Sequence, residues 1–303
     1  MTSVSKTKER LQAEPAQSVE QEIRAFVRTS PANRLSFLND YIMFDEPLVQ
    51  FADSDDPIFM EYKTIIASTH LTPREALAQA HNKNPEDMPE RLSVISWILP
   101  ITEETRKSNR KETRAPSRLW SHTRWYGEQF NDALRRHVVE VLTEAGYLAV
   151  APMLQPYYKR LKSEKGPYSN WSERHIAYAA GLGTFSLSDG FITERGIAHR
   201  CGSVVTDLVL PASPRTVENH YSNCLFYFDA SCDSCIVRCP AEAITEEGHD
   251  KVRCQTYLRD ELGYKLGPEG YDNEASNAGC GLCQVKVPCE SRVPTKKTKK
   301  KTE

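Results

Sequence analysis

No apolar run in this sequence approaches the ~18 residues that a bilayer-crossing helix needs. The first residues, "MTSVSKTKERLQAEPAQ", contain neither an apolar core segment nor a twin arginine, so neither a signal peptide nor a membrane span is expected. Net charge is also scarce: −2 over 303 residues gives no global attraction to nucleic acid or membrane. No repeat appears beyond two groups of cysteines. These absences imply a cytoplasmic chain, where thiols stay reduced. Its nine cysteines therefore point to metal rather than to disulfides.

The length allows one large domain or two ordinary ones. Residues 1–90 read as mostly helical and polar, with no motif that carries chemistry. Residues 91–215 alternate strand and helix signals. "LSVISWILPI" is a short apolar run rich in β-branched residues. "WYGEQFNDALRRHVVEVLTEAGY" has the helix period, with Phe130, Leu134, Val138, Val141 and Leu142 on one face and Gly146 as a stop. "YLAVAP", "SERHIAYAAG" and "HRCGSVVTDLVLP" continue the pattern as strand, helix and strand. Between the first two elements, "TEETRKSNRKETRAPSR" reads as an exposed basic loop, either a solvated connection or a cover over a bound anion. The cysteine-rich part spans 216–290. Residues 291–303 end in "TKKTKKKTE", a basic disordered tail that serves either solubility or weak RNA contact. The expected class is α+β.

Eight cysteines lie between 224 and 289, and Cys201 stands apart. Thiolates are soft ligands that suit iron–sulfur clusters and zinc. "SCDSCIVRCP" places Cys232, Cys235 and Cys239 within a few positions and follows the last with Pro240. That matches the final part of the bacterial ferredoxin run C-x2-C-x2-C-x3-C-P, whose fourth sulfur crosses to the other cluster. Asp229 stands where the first sulfur belongs, and Cys224 lies five residues earlier. In the second group, Cys280 and Cys283 keep their spacing, but the last sulfur arrives late at Cys289. Under the crossed arrangement both irregular positions fall on one cluster. The spacing therefore assigns Cys224, Cys232, Cys235 and Cys289 to one [4Fe–4S] cluster and Cys239, Cys254, Cys280 and Cys283 to the other. Asp229 as a harder oxygen ligand in place of Cys224 is the rival, and zinc in CxxC sites is the rival metal.

At this point the sequence resembles the epoxyqueuosine reductases and the related reductive dehalogenases. The residues that carry the resemblance are "ERHIAYAAGLGTF" (173–185), "GSVVTDLVLP" (202–211), "CDSCIVRCPAEAI" (232–244), "CQTYL" (254–258) and "GCGLCQ" (279–284). It covers about 92–290. It implies a nitroreductase-like α/β domain at 91–215 that binds a corrinoid (cobalamin), followed by a ferredoxin-like module with two [4Fe–4S] clusters at 216–290. The implied activity is reduction of the corrinoid through the clusters, then reductive deoxygenation or dehalogenation of a small-molecule substrate. Gly181, Leu182, Gly183, Ser203, Thr206 and Asp207 would lie against the corrinoid. The glycines equally suit a helix cap followed by a turn. An external electron donor is implied, such as a ferredoxin, a flavodoxin or a flavin reductase.

The sequence departs from the epoxyqueuosine reductase pattern at one place. The catalytic aspartate of that family falls near Pro167 here, and Tyr168 is the nearest proton donor. Reductive dehalogenases use a tyrosine in that role. A phenol with an ordinary pKa near ~10 needs a neighbouring cation to act as an acid, and Lys162, Lys165 and Arg174 are close in sequence. Otherwise Tyr168 is a packing aromatic. His175 and His199 read either as axial ligands or proton relays or as structural residues. Cys201 reads as a small core residue or as a thiol facing the cofactor. Two further readings stand beside the corrinoid reductase. One is a non-catalytic electron carrier. The other is a tRNA-modifying epoxyqueuosine reductase with a different acid, with tRNA as partner.

Overall fold

The computed structural model describes residues 3–262 and 279–295. The chain forms two compact units, each discontinuous in sequence. One gathers Met1–Leu99, Tyr126–Leu182 and Arg200–Thr216. The other gathers Pro100–Trp125, Gly183–His199 and the described part of Val217–Glu303. Among the described residues, no helix is long and apolar enough to cross a membrane.

The first unit is built on a four-stranded sheet in the order Leu48–Asp53, Ser93–Pro100, His199–Thr206, Ala149–Val150. The strand Ser93–Pro100 is buried at every position. Its unbroken apolar run is what a strand covered on both faces requires. It pairs antiparallel with Leu48–Asp53, Phe51 facing Ile95 and Val49 facing Trp97. The long helix Arg118–Glu144 buries Phe130, Leu134, Val138 and Leu142, and Gly146 beyond its end takes φ +93°. Near the chain start, the helix Pro15–Thr29 buries Val19, Ile23 and Val27 at four-residue spacing. Trp97 is fully buried, and its indole N–H donates to Asn131 Oδ1 at 2.9 Å. The Asn131 amide in turn donates to the Cys201 carbonyl at 2.8 Å.

The second unit has less regular structure. Its pieces are the helix Glu103–Arg110, a hairpin of Gly183–Phe185 with Phe191–Thr193, and short helices at Leu225–Asp229, Ser234–Arg238 and Lys251–Thr256. Its core packs Leu187, Ile192, Ile197, Ile244, Val287 and Val293 around Cys224, with Cys235, Cys239, Cys283 and Cys289 against them.

Three expectations from the sequence change. Residues 1–90 are not a separate helical region, because Leu48–Asp53 is a strand of the main sheet. The cysteine module is not confined to 216–290; it takes in 100–125 and 183–199 as well. The expected basic loop contains a helix, Glu103–Arg110, with Thr105 and Asn109 fully buried. These lie four apart on one face. The buried stripe is polar, so no hydrophobic period marks it. Of the basic tail, residues 296–303 lie outside the described residues, as do residues 263–278 of the cysteine-rich part.

Asn131→Ala would leave both the Trp97 N–H and the Cys201 carbonyl without their partner inside the core. The expected loss is about 1–3 kcal/mol of stability in urea unfolding. A variant as stable as the parent would show that the Asn131 bridge carries no weight.

Candidate metal centre

The eight clustered thiols come from short elements and turns. Cys224 precedes the helix Leu225–Asp229, and Cys235 lies within Ser234–Arg238 with Cys239 at its end. Cys254 is in Lys251–Thr256, and Cys283 is in the turn Leu282–Gln284. The thiols that neighbour one another form two groups that touch at one point. Cys289 faces Cys224, Cys235 and Cys232, and Cys235 faces Cys224 and Cys232. Cys254 faces Cys280 and Cys239, and Cys283 faces Cys280, Cys254 and Cys239. Cys283 also faces Cys235, across the two sets.

This environment resists thiolate. Burial, and then the neighbouring sulfurs, push Cys235 and Cys254 each up to about 12. The same causes raise Cys283 and Cys289 further. A few amides work the other way. Ala243 donates its N–H to Cys239 Sγ at 3.3 Å, and the amides of Ile236 and Leu282 favour thiolate at Cys235 and Cys280. Cys224, Cys232, Cys235, Cys283 and Cys289 line a small open recess with Ile192, Ile197, Phe226 and Val287. Soft donors gathered in a largely apolar recess fit a group that brings its own positive charge, as an iron–sulfur cluster does. Among the described residues, no three of His, Cys, Asp or Glu converge on a point suited to a single metal ion. Asp229 is exposed, and its carboxylate accepts from the N–H and hydroxyl of Ser231. That commits it to its own turn rather than to the sulfurs.

The residues expected at a corrinoid have other employment. Gly181 follows the helix Glu173–Ala179 with φ +78°, and the bonds Gly181 N–H to Tyr178 O and Leu182 N–H to Ala177 O close that helix in a Schellman cap. A Cβ on Gly183 would stand 2.2 Å from the Ile192 carbonyl across the hairpin. Both glycines are thus required by the protein's own backbone. Leu182, Ser203 and Thr206 are buried. Ser203 donates to Glu173 at 2.6 Å and accepts from Trp171 at 3.0 Å. Thr206 Oγ1 accepts from the Leu208 amide, and Asp207 accepts from the Leu148 amide. All six residues thus make contacts within the chain, and Gly181 and Asp207 remain half-buried.

Tyr168 is on a strand rather than in a loop. Gly166–Ser169 pairs with Arg160–Ser163, Tyr168 opposite Leu161 and Lys162 opposite Pro167. His175 shares a hydrogen bond between Nδ1 and Ser172 Oγ at 2.8 Å, and its carbonyl accepts from the Tyr62 hydroxyl. His199 Nε2 donates to the Phe191 carbonyl at 2.6 Å. Cys201 belongs to the first unit, where burial, with Glu173 nearby, pushes its thiol up to about 12. It is a half-buried thiol that stays protonated.

Sequence reasoning missed a buried ion network in the first unit. Arg135 is 1% exposed and donates to Glu128, Asp132 and Glu173 at 2.6–3.2 Å, and to the Cys201 carbonyl at 3.1 Å. Arg200 pairs with Glu128 at 2.8 Å. Burial works against the Arg135 charge, but the three carboxylates outweigh it and hold the proton more firmly than usual. The signal was present: Asn131 and Arg135, at i and i+4, share the inward side of a helix whose apolar positions alone were read. A second buried polar residue is His70, whose Nε2 accepts from the Ser172 amide at 3.1 Å and whose ring stacks on Trp171. Burial lowers its pKa to about 4.

No family model and no curated protein matches this chain. It is similar to solved structures of epoxyqueuosine reductases. One, from Bacillus subtilis, has its catalytic loop swung out of the active site and is 16% identical with a TM-score of 0.38. A selenomethionine-labelled epoxyqueuosine reductase is 15% identical with a TM-score of 0.43. A third, with an epoxyqueuosine-modified tRNA-Tyr stem loop, is 17% identical with a TM-score of 0.41. The matches cover 91–95% of this chain and 66% of each of those chains.

Arg135→Met would strand three carboxylates around an apolar side chain, with an expected loss of about 3–5 kcal/mol. Thermal and urea unfolding measure it, and a change below about 0.5 kcal/mol would be incompatible with the network. The His70 shift sets a pH dependence. The folded imidazole stays neutral down to about 4, whereas the unfolded one takes a proton near ~6.5. Its contribution is therefore level above pH ~6.5 and declines as pH falls from there to about 4. The difference in urea midpoint between pH 7 and pH 5 should shrink in His70→Gln. An equal difference in both proteins would remove His70 as a source of that slope.

Proposed function

We propose that this chain is an iron–sulfur oxidoreductase whose eight clustered cysteines hold two [4Fe–4S] clusters. The observation that supports this reading is the gathering of the eight thiols in one unit, in two neighbouring groups that meet at Cys283 and Cys235, five of the thiols against an apolar core. Cys224, Cys232, Cys235 and Cys289 hold one cluster; Cys239, Cys254, Cys280 and Cys283 hold the other. When bound, two such clusters supply two one-electron carriers. The protein's part is to exclude water with Ile192, Ile197, Phe226 and Val287, and to aim amides at Cys235, Cys239 and Cys280. Hydrogen bonds to the sulfurs and burial are the terms that tune such carriers.

Two carriers suit a two-electron reduction. Removing the oxygen of an epoxide takes two electrons and two protons and releases water. Replacing a halogen by hydrogen takes two electrons and one proton and releases halide. Either chemistry fits the reading, with an external one-electron donor and a small-molecule substrate. Tyr168 is the proton donor it puts forward. A corrinoid, where one is bound, would lie against Gly181, Leu182, Gly183, Ser203, Thr206 and Asp207. A tRNA substrate is the second reading, and its sequence support, the lysine-rich end, lies largely outside the described residues.

Protein purified and loaded without oxygen should carry about eight irons and eight sulfides. Cys224→Ser and Cys289→Ser should each leave about four irons and the same surviving EPR signal. Cys254→Ser should leave about four with the other signal. Cys201→Ser should leave the iron unchanged. If Cys224→Ser and Cys289→Ser retain different signals, the ligand grouping is wrong. Zinc at two per chain with no iron would remove the redox function.

A further inference from the structure

We infer that Arg238 is a positioning residue that sets the spacing of the two cysteine groups and, through its charge, the reduction potential of what they hold. The inference rests on the iron–sulfur reading above. Arg238 ends the helix Ser234–Arg238, between Cys235 of one group and Cys239 of the other. Its guanidinium spans three backbone carbonyls. Nε donates to Leu282 at 3.3 Å, Nη1 to Glu112 at 2.9 Å and Nη2 to Asn109 at 3.5 Å. Leu282 is fully buried and lies between Cys280 and Cys283. One side chain therefore ties the first cysteine motif to the second and anchors both to the segment 103–120.

That segment grips the second motif independently. Asn109 is fully buried; its amide donates to the Cys280 carbonyl at 3.0 Å and its Oδ1 accepts from the Ser117 amide at 2.8 Å. The Trp120 indole donates to the Gly279 carbonyl at 3.1 Å. Arg110 pairs with Glu290, the neighbour of Cys289, through Nε at 2.9 Å to both carboxylate oxygens. Asn109 and Trp120 hold one motif in place. Arg238 joins the two.

The chemistry of the side chain makes this specific. A planar guanidinium has five donors in a fixed fork, so it reaches three carbonyls at once; an ammonium on a flexible stem does not. Groups outside the ligands orient the ligands. A fixed cation beside a cluster favours its reduced, more negative form, so it raises the potential. Geometry and charge are thus separable: lysine keeps the charge and loses the fork, and glutamine loses both.

The test uses the full chain loaded without oxygen, as parent, Arg238→Lys and Arg238→Gln. Iron per chain, potentials from EPR-monitored titration, and the spin–spin splitting of the doubly reduced protein are measured. The splitting reports the distance between the two spins. Arg238→Gln should lower at least one potential and lose the resolved splitting. Arg238→Lys should restore the potential but not the splitting. Parental potentials and splitting in Arg238→Gln would overturn the inference, and so would a lowered potential with splitting intact. Should Arg238→Gln fail to load, Arg238→Lys decides: parental splitting there removes the positioning role. A parent that takes up no iron and sulfide defeats the iron–sulfur reading itself. A loaded parent with indifferent variants defeats only this inference.

Discussion

Cys235, Cys254, Cys280, Cys283 and Cys289 crowd into a setting that opposes their ionisation, and the cysteine unit depends on how that conflict is resolved. Burial and mutual repulsion both raise Cys235, Cys254, Cys283 and Cys289. A thiolate in such a place is stable only beside positive charge, and metal binding then becomes part of the folding free energy. The local elements offer little of their own. Helices such as Leu225–Asp229 and Ser234–Arg238 are far below the length at which a helix stands alone in water. The hairpin Ile244–Thr245 with Gly248–His249 is equally short. What orders these pieces is tertiary: an apolar core, the sulfurs, and side chains that grip carbonyls beside the sulfurs.

The first unit meets a related conflict with the signs exchanged. There a single buried cation, Arg135, stands among three carboxylates. Burial raises Glu173 and Asp132 even beside it, so the carboxylates remain strained while the arginine is held firmly charged. The network joins the long helix, the helix Glu173–Ala179 and the strand that carries Cys201 and Ser203. Removing one member is costly because it strands the rest, although a well-packed apolar replacement of the whole set need not be. The network is evidence of a specific arrangement more than of net stability.

What was legible in the sequence follows from which interactions are local. The strand Ser93–Pro100 and the long helix declared themselves through apolar runs and period. Cysteine spacing proposed two fours because the ferredoxin run encodes crossing in its register. The helix Glu103–Arg110 stayed hidden because its inward stripe is Thr105 and Asn109, which no hydropathy pattern registers. The strand Leu48–Asp53 stayed hidden because its partner lies more than forty residues on, and pairing across that distance leaves no local mark. "GLG" was ambiguous for a deeper reason. A glycine demanded by a helix cap or a hairpin carbonyl is identical, as a letter, to one demanded by a cofactor.

The discontinuity of the cysteine unit bears on how it is made. An appended ferredoxin cassette would contain all its own supports. Here the Cys280 carbonyl is held by Asn109, a separation of 171 residues, and the Glu290 carboxylate by Arg110, a separation of 180. Closing loops of that size costs entropy that grows slowly with length, so the separation is tolerable once the contacts are strong enough. Strong contacts are what the segment provides: a fully buried amide, a bidentate arginine–carboxylate pair and a buried indole. The folded arrangement of the thiols therefore includes contacts from distant parts of the chain. It follows that ligand spacing, the most legible feature of the sequence, names the sulfurs without naming what holds them in place.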